Sequence, residues 1–117
     1  MKKSALCLLL ALAACGQDWR AREMAAAEDK IRVEVDDPGA VFSQVQITGD
    51  SQTGQTCGTV KAMHGPDAAG PAVRFVVYID GTSGPWVEKG QGRQFLSQDR
   101  FDDAWRADCV GEGWRPG

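Results

Sequence analysis

The stretch "AVRFVVYID" (72–80) decides how this chain folds. In an extended backbone Val73, Phe75, Val77 and Ile79 fall on one side, and Val76 and Tyr78 on the other. A strand apolar on both sides belongs in the middle of its sheet. Its neighbours are legible on either side. "TCGTVKAM" (56–63) reads as a second strand, with Cys57, Thr59, Lys61 and Met63 on one side and Val60 and Ala62 on the other. "VFSQVQITGD" (41–50) reads as a half-buried strand with Val45 and Ile47 on one face. "WVEKG" (86–90), after the turn "GTSGP" (81–85), is a short edge strand. "SQTGQ" (51–55) and "HGPDAAGP" (64–71) are loops, rich in residues that break regular structure.

A helix is expected at each end of this sheet. Residues 19–34 are rich in helix formers, and Asp18 can cap them. Met24, Ala27, Ile31 and Val35 recur at helical spacing on one face. A competing strand pattern runs through Ile31, Val33 and Val35. "DDPG" (36–39) ends the element, because the residue before a proline is driven out of the α region. At the other end Ser97 can cap a helix that carries Asp99 in its first turn. Phe101, Trp105 and Cys109 stand four apart on one face, and Gly111 is placed to stop the helix. "GEGWRPG" (111–117) gives a flexible tail over 112–117.

The first residues carry an address. Lys2 and Lys3 precede the apolar run Ala5–Ala14, which is shorter than the roughly 20 residues a membrane-crossing helix needs. The run suits a signal-peptide core. "LAAC" (12–15) resembles the lipobox of bacterial lipoproteins. The resemblance implies that residues 1–14 are removed and that Cys15 is acylated, through a diacylglycerol on its thiol and a fatty acid such as palmitate on the new amine. Several chains hold a protein where one holds it only marginally. Cys7 has too little apolar sequence before it for this role. Gly16 follows where an Asp would favour the inner membrane, so the expected location is the periplasmic face of the outer membrane. Residues 15–18 would then be the lipidated cysteine and a short tether, and 19–111 a single domain.

Loss of residues 1–14 leaves eleven basic against sixteen acidic side chains, a balance of about −5. Nucleic acid and anionic headgroups, which need a basic face, are poor electrostatic partners for such a chain. No asparagine occurs, which excludes N-glycosylation. Once Cys7 and Cys15 are assigned to leader and anchor, Cys57 and Cys109 remain, and an even remainder in an exported chain reads as one disulfide. It would staple the last helix to a strand, and the chain-entropy model gives about 4 kcal/mol for a loop of that length.

"DDPGAVF" (36–42), "CGTV" (57–60), "RFVVYI" (74–79) and "FDDAWRADC" (101–109), in this order, resemble a group of small, uncharacterised exported proteins of proteobacteria with a Cys-Gly-x-Val motif. The resemblance implies an N-terminal helix, a small antiparallel sheet and a final helix, and supplies no catalytic residues. The chain departs from that group at "KAMHGPDAAGPAV" (61–73), which lacks the group's Asn and aromatic loop.

His64 is the only histidine, and a Ser/His/Asp arrangement would have to use it, with Ser83 as nucleophile. Nothing in the sequence ties the two together, and the plain role of His64 is a solvated loop residue. Asp36-Asp37 and Asp102-Asp103 read as solvated pairs. "GQGR" (90–93) could hold an anion on its backbone N–H groups, although such a loop is more often a turn. One histidine and no ligand cluster argue against a metal, and no cofactor is implied. Trp86 and Trp114 are the aromatics that the core patterns leave over, and they are candidates for contact with a partner.

The reading is therefore an α+β domain: an N-terminal helix, an antiparallel sheet of three to four strands, and a C-terminal helix disulfide-bonded to it. The expected role is a non-enzymatic, lipid-anchored module with the bilayer and an envelope protein as partners. The alternative is a small-ligand carrier or an inhibitor of an exogenous enzyme. A concave apolar pocket would favour the carrier, and a flat exposed patch around Trp86 would favour protein contact.

Overall fold

A computed structural model describes residues 19–117. The leader, Cys15, the tether and the Asp18 cap lie outside the described residues.

Helix α1 covers residues 19–34. Ile31 and Ala27 are buried while Val33 is 56% exposed, so helical spacing prevails over the alternation at 31–35. Four strands follow: β1 (Val41–Thr48), β2 (Gln55–Lys61), β3 (Val73–Tyr78) and β4 (Trp86–Val87). They form one antiparallel sheet in the order β1-β2-β3-β4. Helix α2 (Gln98–Ala104) runs directly into a wider π-helical segment, Trp105–Val110.

The doubly apolar β3 lies inside the sheet and is covered on both sides. Val73, Phe75 and Val77 join Val60, Val87, Ala27 and Ile31 in one cluster beneath α1. Val76 and Cys57 join Phe101, Trp105, Cys109 and Trp114 in a second cluster beneath the C-terminal helix. The molecule is thus helix, sheet, helix, with a core on each face of the sheet.

The C-terminal helix combines two geometries. A spacing of four overshoots the 3.6-residue α turn, so Phe101 and Trp105 alone would drift around the helix. The wider turn, in which Gly111 N donates to Arg106 O at 2.8 Å, absorbs the overshoot. Trp105 and Cys109 consequently stay on the stripe that faces the sheet. Ser97 caps α2, its hydroxyl accepting from Arg100 N at 3.4 Å. Cys109 is bonded to Cys57 with Cα atoms 6.0 Å apart, which joins helix to sheet as the cysteine count indicated.

Strand β1 departs from simple alternation. Ser43 pairs with Thr59 and Gln46 with Cys57, so Gln44 and Val45 together oppose Gly58. This is a β-bulge, with Gln44 in the left-handed region at φ 55°. The extra residue lets Phe42 and Val45, three apart, both pack against the cluster beneath α1. Gly58 is needed opposite the bulge. A Cβ there would lie 3.0 Å from both Cα and Cγ2 of Val45 and 3.1 Å from Cε1 of Phe75.

The tail expected to be loose is docked. Trp114 is only 8% exposed, packs edge-on to Trp105 at 4.7 Å, and donates its indole N–H to Gln44 O at 3.0 Å. Arg115 N donates to Gln46 Oε1, and Gln46 Nε2 donates to Arg115 O. Trp114 is therefore a core residue rather than a contact residue. Trp86 is half-buried against the same cluster, over its own sheet edge.

Candidate functional site

The end of α1 and the "DDPG" turn carry the densest polar chemistry near a cavity. Helix α1 closes with Asp37 N donating to Arg32 O at 3.0 Å, and Asp36 takes φ 54°. This turn swings the Asp37 side chain inward, where it is 1% exposed. One carboxylate oxygen accepts from Met63 N at 2.6 Å and His64 N at 3.0 Å. The other accepts from Gly39 N at 2.9 Å and lies 3.2 Å from His64 Nδ1. The N–H of Met63 first, and those of Gly39 and His64 after it, hold the Asp37 pKa down to about 2, against the opposing effect of burial. Asp37 is thus not a solvated charge. It ties the end of α1 to the end of β2. The His64 side chain remains 78% exposed, as a solvated loop residue would be, with Nδ1 turned to Asp37.

The "GQGR" loop does hold an anion, and the anion is the protein's own. Arg93 N and Gln94 N donate to Glu34 Oε2 at 2.7 and 3.2 Å. Gly92 makes room for this, since a Cβ there would stand 3.2 Å from the same oxygen.

Asp37 and Glu34 together fix the two walls of a cavity of about 250 Å³ lined by Arg32, Val33, Asp36, Asp37, Pro38 and Arg93. Its lining is mostly apolar, with two guanidinium groups. Arg32 is braced, 3.0 Å from Asp29 Oδ1 and 5.0 Å over the Phe42 ring. Among the described residues, no ion pair engages Arg93. The same loop carries Phe95, which is 81% exposed.

Two other polar groupings are engaged within the fold. Arg74 on β3 pairs with Glu88 at 2.5 Å and Asp102 at 2.6 Å, with its guanidinium over Phe101 and Trp105. The Arg74 hydrogen bonds hold Glu88 down to about 2 and lower Asp102 as well. Asp102 therefore is not free in solvent, whereas Asp103 is exposed and meets Arg106 at 3.3 Å. At the end of the C-terminal helix Asp108 O accepts from Gln55 Nε2 at 2.5 Å and Thr48 Oγ1 at 3.0 Å. Strand side chains thereby satisfy a terminal carbonyl. Tyr78, its pKa raised by burial and by its bond to Asp108, donates to that carboxylate at 2.6 Å.

Sequence reasoning singled out His64 and the 90–93 loop, and the structure places both near the Asp37 turn. It missed Arg32, Val33 and Pro38 as cavity walls. Comparison with family models, curated proteins and solved structures finds no match to this chain.

Proposed function

We propose that this chain is a lipid-anchored envelope protein that works by binding, through the cavity between the end of α1 and the 91–95 loop. The observation that carries the reading is the arrangement along α1. The helix starts four residues after Cys15, the residue that the lipobox resemblance marks for acylation. The cavity sits at its other end, sixteen residues on, about 24 Å at 1.5 Å per residue. An anchor at one end of a rigid helix and a preformed recess at the other suit a module held at the periplasmic face of the outer membrane that presents a surface away from it.

Binding is favoured over catalysis by the use made of Asp37. Its oxygens are taken by three backbone N–H groups, which is the work of a structural clamp. The alternative, a small-ligand carrier or inhibitor, draws support from the concave apolar recess. Its volume of about 250 Å³ falls below the roughly 300–1,000 Å³ typical of small-molecule sites.

Cys15→Ser tests the anchor. The account expects the variant in the soluble fraction of a detergent-free lysate and the natural protein in membranes. Equal membrane association of the two would contradict it.

A further inference from the structure

The recess at the end of α1 carries one unpaired charge of each sign, and a projecting aromatic ring follows on the same loop. We propose that it docks a second copy of this chain, each copy seating its Phe95 in the other's recess and its Arg93 against the other's Asp36. This deepens the binding reading above by naming the partner, and it rests on that reading but not on the lipid anchor.

The charges come first. Arg32, Arg93, Asp36 and Asp37 line the recess, so the two signs are balanced there. Arg32 is paired with Asp29, and Asp37 is held by three backbone N–H groups. Glu34 is held by Arg93 N and Gln94 N. Asp36 and Arg93 are left, both exposed and neither in an ion pair among the described residues. A partner of a single sign would be drawn by one of them and repelled by the other. A second copy turned about a two-fold axis meets both favourably, because each Arg93 then faces an Asp36 and each Asp36 an Arg93.

Shape comes second. About 250 Å³ with an apolar wall of Val33 and Pro38 holds one aromatic side chain. Phe95 stands two residues beyond Arg93 and is 81% exposed, so it does not fill the recess of its own copy. Its loop is tied down: Arg93 N and Gln94 N donate to Glu34, and Gln94 Nε2 donates to Gly84 O at 2.7 Å. Little ordering is therefore left for the moment of docking. A ring and a hollow that takes it, carried by one surface, are what an isologous contact needs. Docking also covers Val33, which is 56% exposed, and places an aromatic and an arginine at the contact, as is common at interfaces.

The test is photo-crosslinking of the full chain in the cells that make it, with p-benzoylphenylalanine placed at position 95. The readout is the same whether or not Cys15 is acylated. The proposal expects an adduct of twice the mass of the chain, with the attachment mapped to residues 32–38 of the second copy. Arg93→Glu alone and Asp36→Lys alone each set like charges together twice, and each should lower the yield of that adduct about fivefold or more. Asp36 takes φ 54°, a region that Lys89 also adopts at φ 62°, so lysine is tolerated there. An Arg93→Glu copy and an Asp36→Lys copy made in the same cell restore both pairs between them, and the doubled adduct should return. Recovery in the mixed pair shows that both variants fold. A doubled adduct attached elsewhere, a yield that neither variant lowers, or a mixed pair that stays low would overturn the proposal. An adduct with a different protein would overturn the second copy as partner and leave the recess a docking site, whereas no adduct between chains would remove both. None of these outcomes bears on membrane retention, so docking and anchor fail separately.

Discussion

The Trp114 indole N–H donates to the carbonyl of Gln44 at 3.0 Å across seventy residues of sequence. That carbonyl belongs to the bulged residue of β1, and the indole also lies edge-on to Trp105 in the core shared with the disulfide. One ring therefore closes the C-terminus, the bulge and the second core together. Trp114→Ala should lower the unfolding free energy by about 3–5 kcal/mol, the usual cost of emptying a buried aromatic site. Trp114→Phe, which keeps a ring and loses the donor, should cost about 1 kcal/mol. Urea denaturation followed by circular dichroism reads both, and an unchanged midpoint for Trp114→Ala would show that the tail is not docked.

Gly58 and the bulge are two halves of one feature. A methyl group at Gly58 would press on Val45 and Phe75, so Gly58→Ala should destabilise the domain by about 1–3 kcal/mol through overpacking. A melting temperature equal to that of the natural protein would mean that β1 can shift away from β2 at no cost.

The Cys57–Cys109 bond closes a loop of 52 residues. The double replacement Cys57→Ala, Cys109→Ala should cost about 4 kcal/mol in the chain-entropy model. Peptide mapping without reductant should find the two cysteines joined, and free alkylation of both in protein isolated without reductant would contradict the bond.

Asp37 and Glu88 are both held at about 2, below their ordinary values of 3.8 and 4.5. A carboxyl depressed in the folded state contributes stability that is complete above its unfolded pKa and is lost as pH falls through the folded one. Stability should accordingly be level above about pH 5 and decline between about 4.5 and 2. Asp37→Asn keeps one acceptor oxygen and sets an NH₂ group against backbone donors. The variant should be less stable at pH 7 and show a shallower acid decline. Urea midpoints at pH 7, 4 and 2.5 measure both effects, and a variant that matches the natural protein at pH 7 would remove Asp37 as a clamp.

Much of the fold was legible because its signals are local. Val73, Phe75 and Val77 against Val76 announce a central strand, and Phe101, Trp105 and Cys109 announce a helical stripe. What escaped depends on distant backbone. The partners that bury Asp37 are N–H groups at Met63 and His64, 26 and 27 residues away, and no side-chain pattern marks them. The 90–93 loop advertised an anion site, but only the fold supplies Glu34 as the anion. "GEGWRPG" looks frayed by composition, and its anchor is a carbonyl at a bulge formed by Gln44, a residue type that gives no warning of φ 55°. The cavity walls are ordinary residues at a helix end, brought together by that same Asp37 turn.

The proposed lipid anchor at Cys15 would set the recess at the far end of α1, away from the membrane. The decisive experiment is intact-mass and N-terminal peptide analysis of the protein isolated from its own cells. The account predicts that the mature chain starts at Cys15 and carries a thioether-linked diacylglycerol and an amide-linked fatty acid. A chain that retains Met1, or one cleaved elsewhere with Cys15 unmodified, would contradict it.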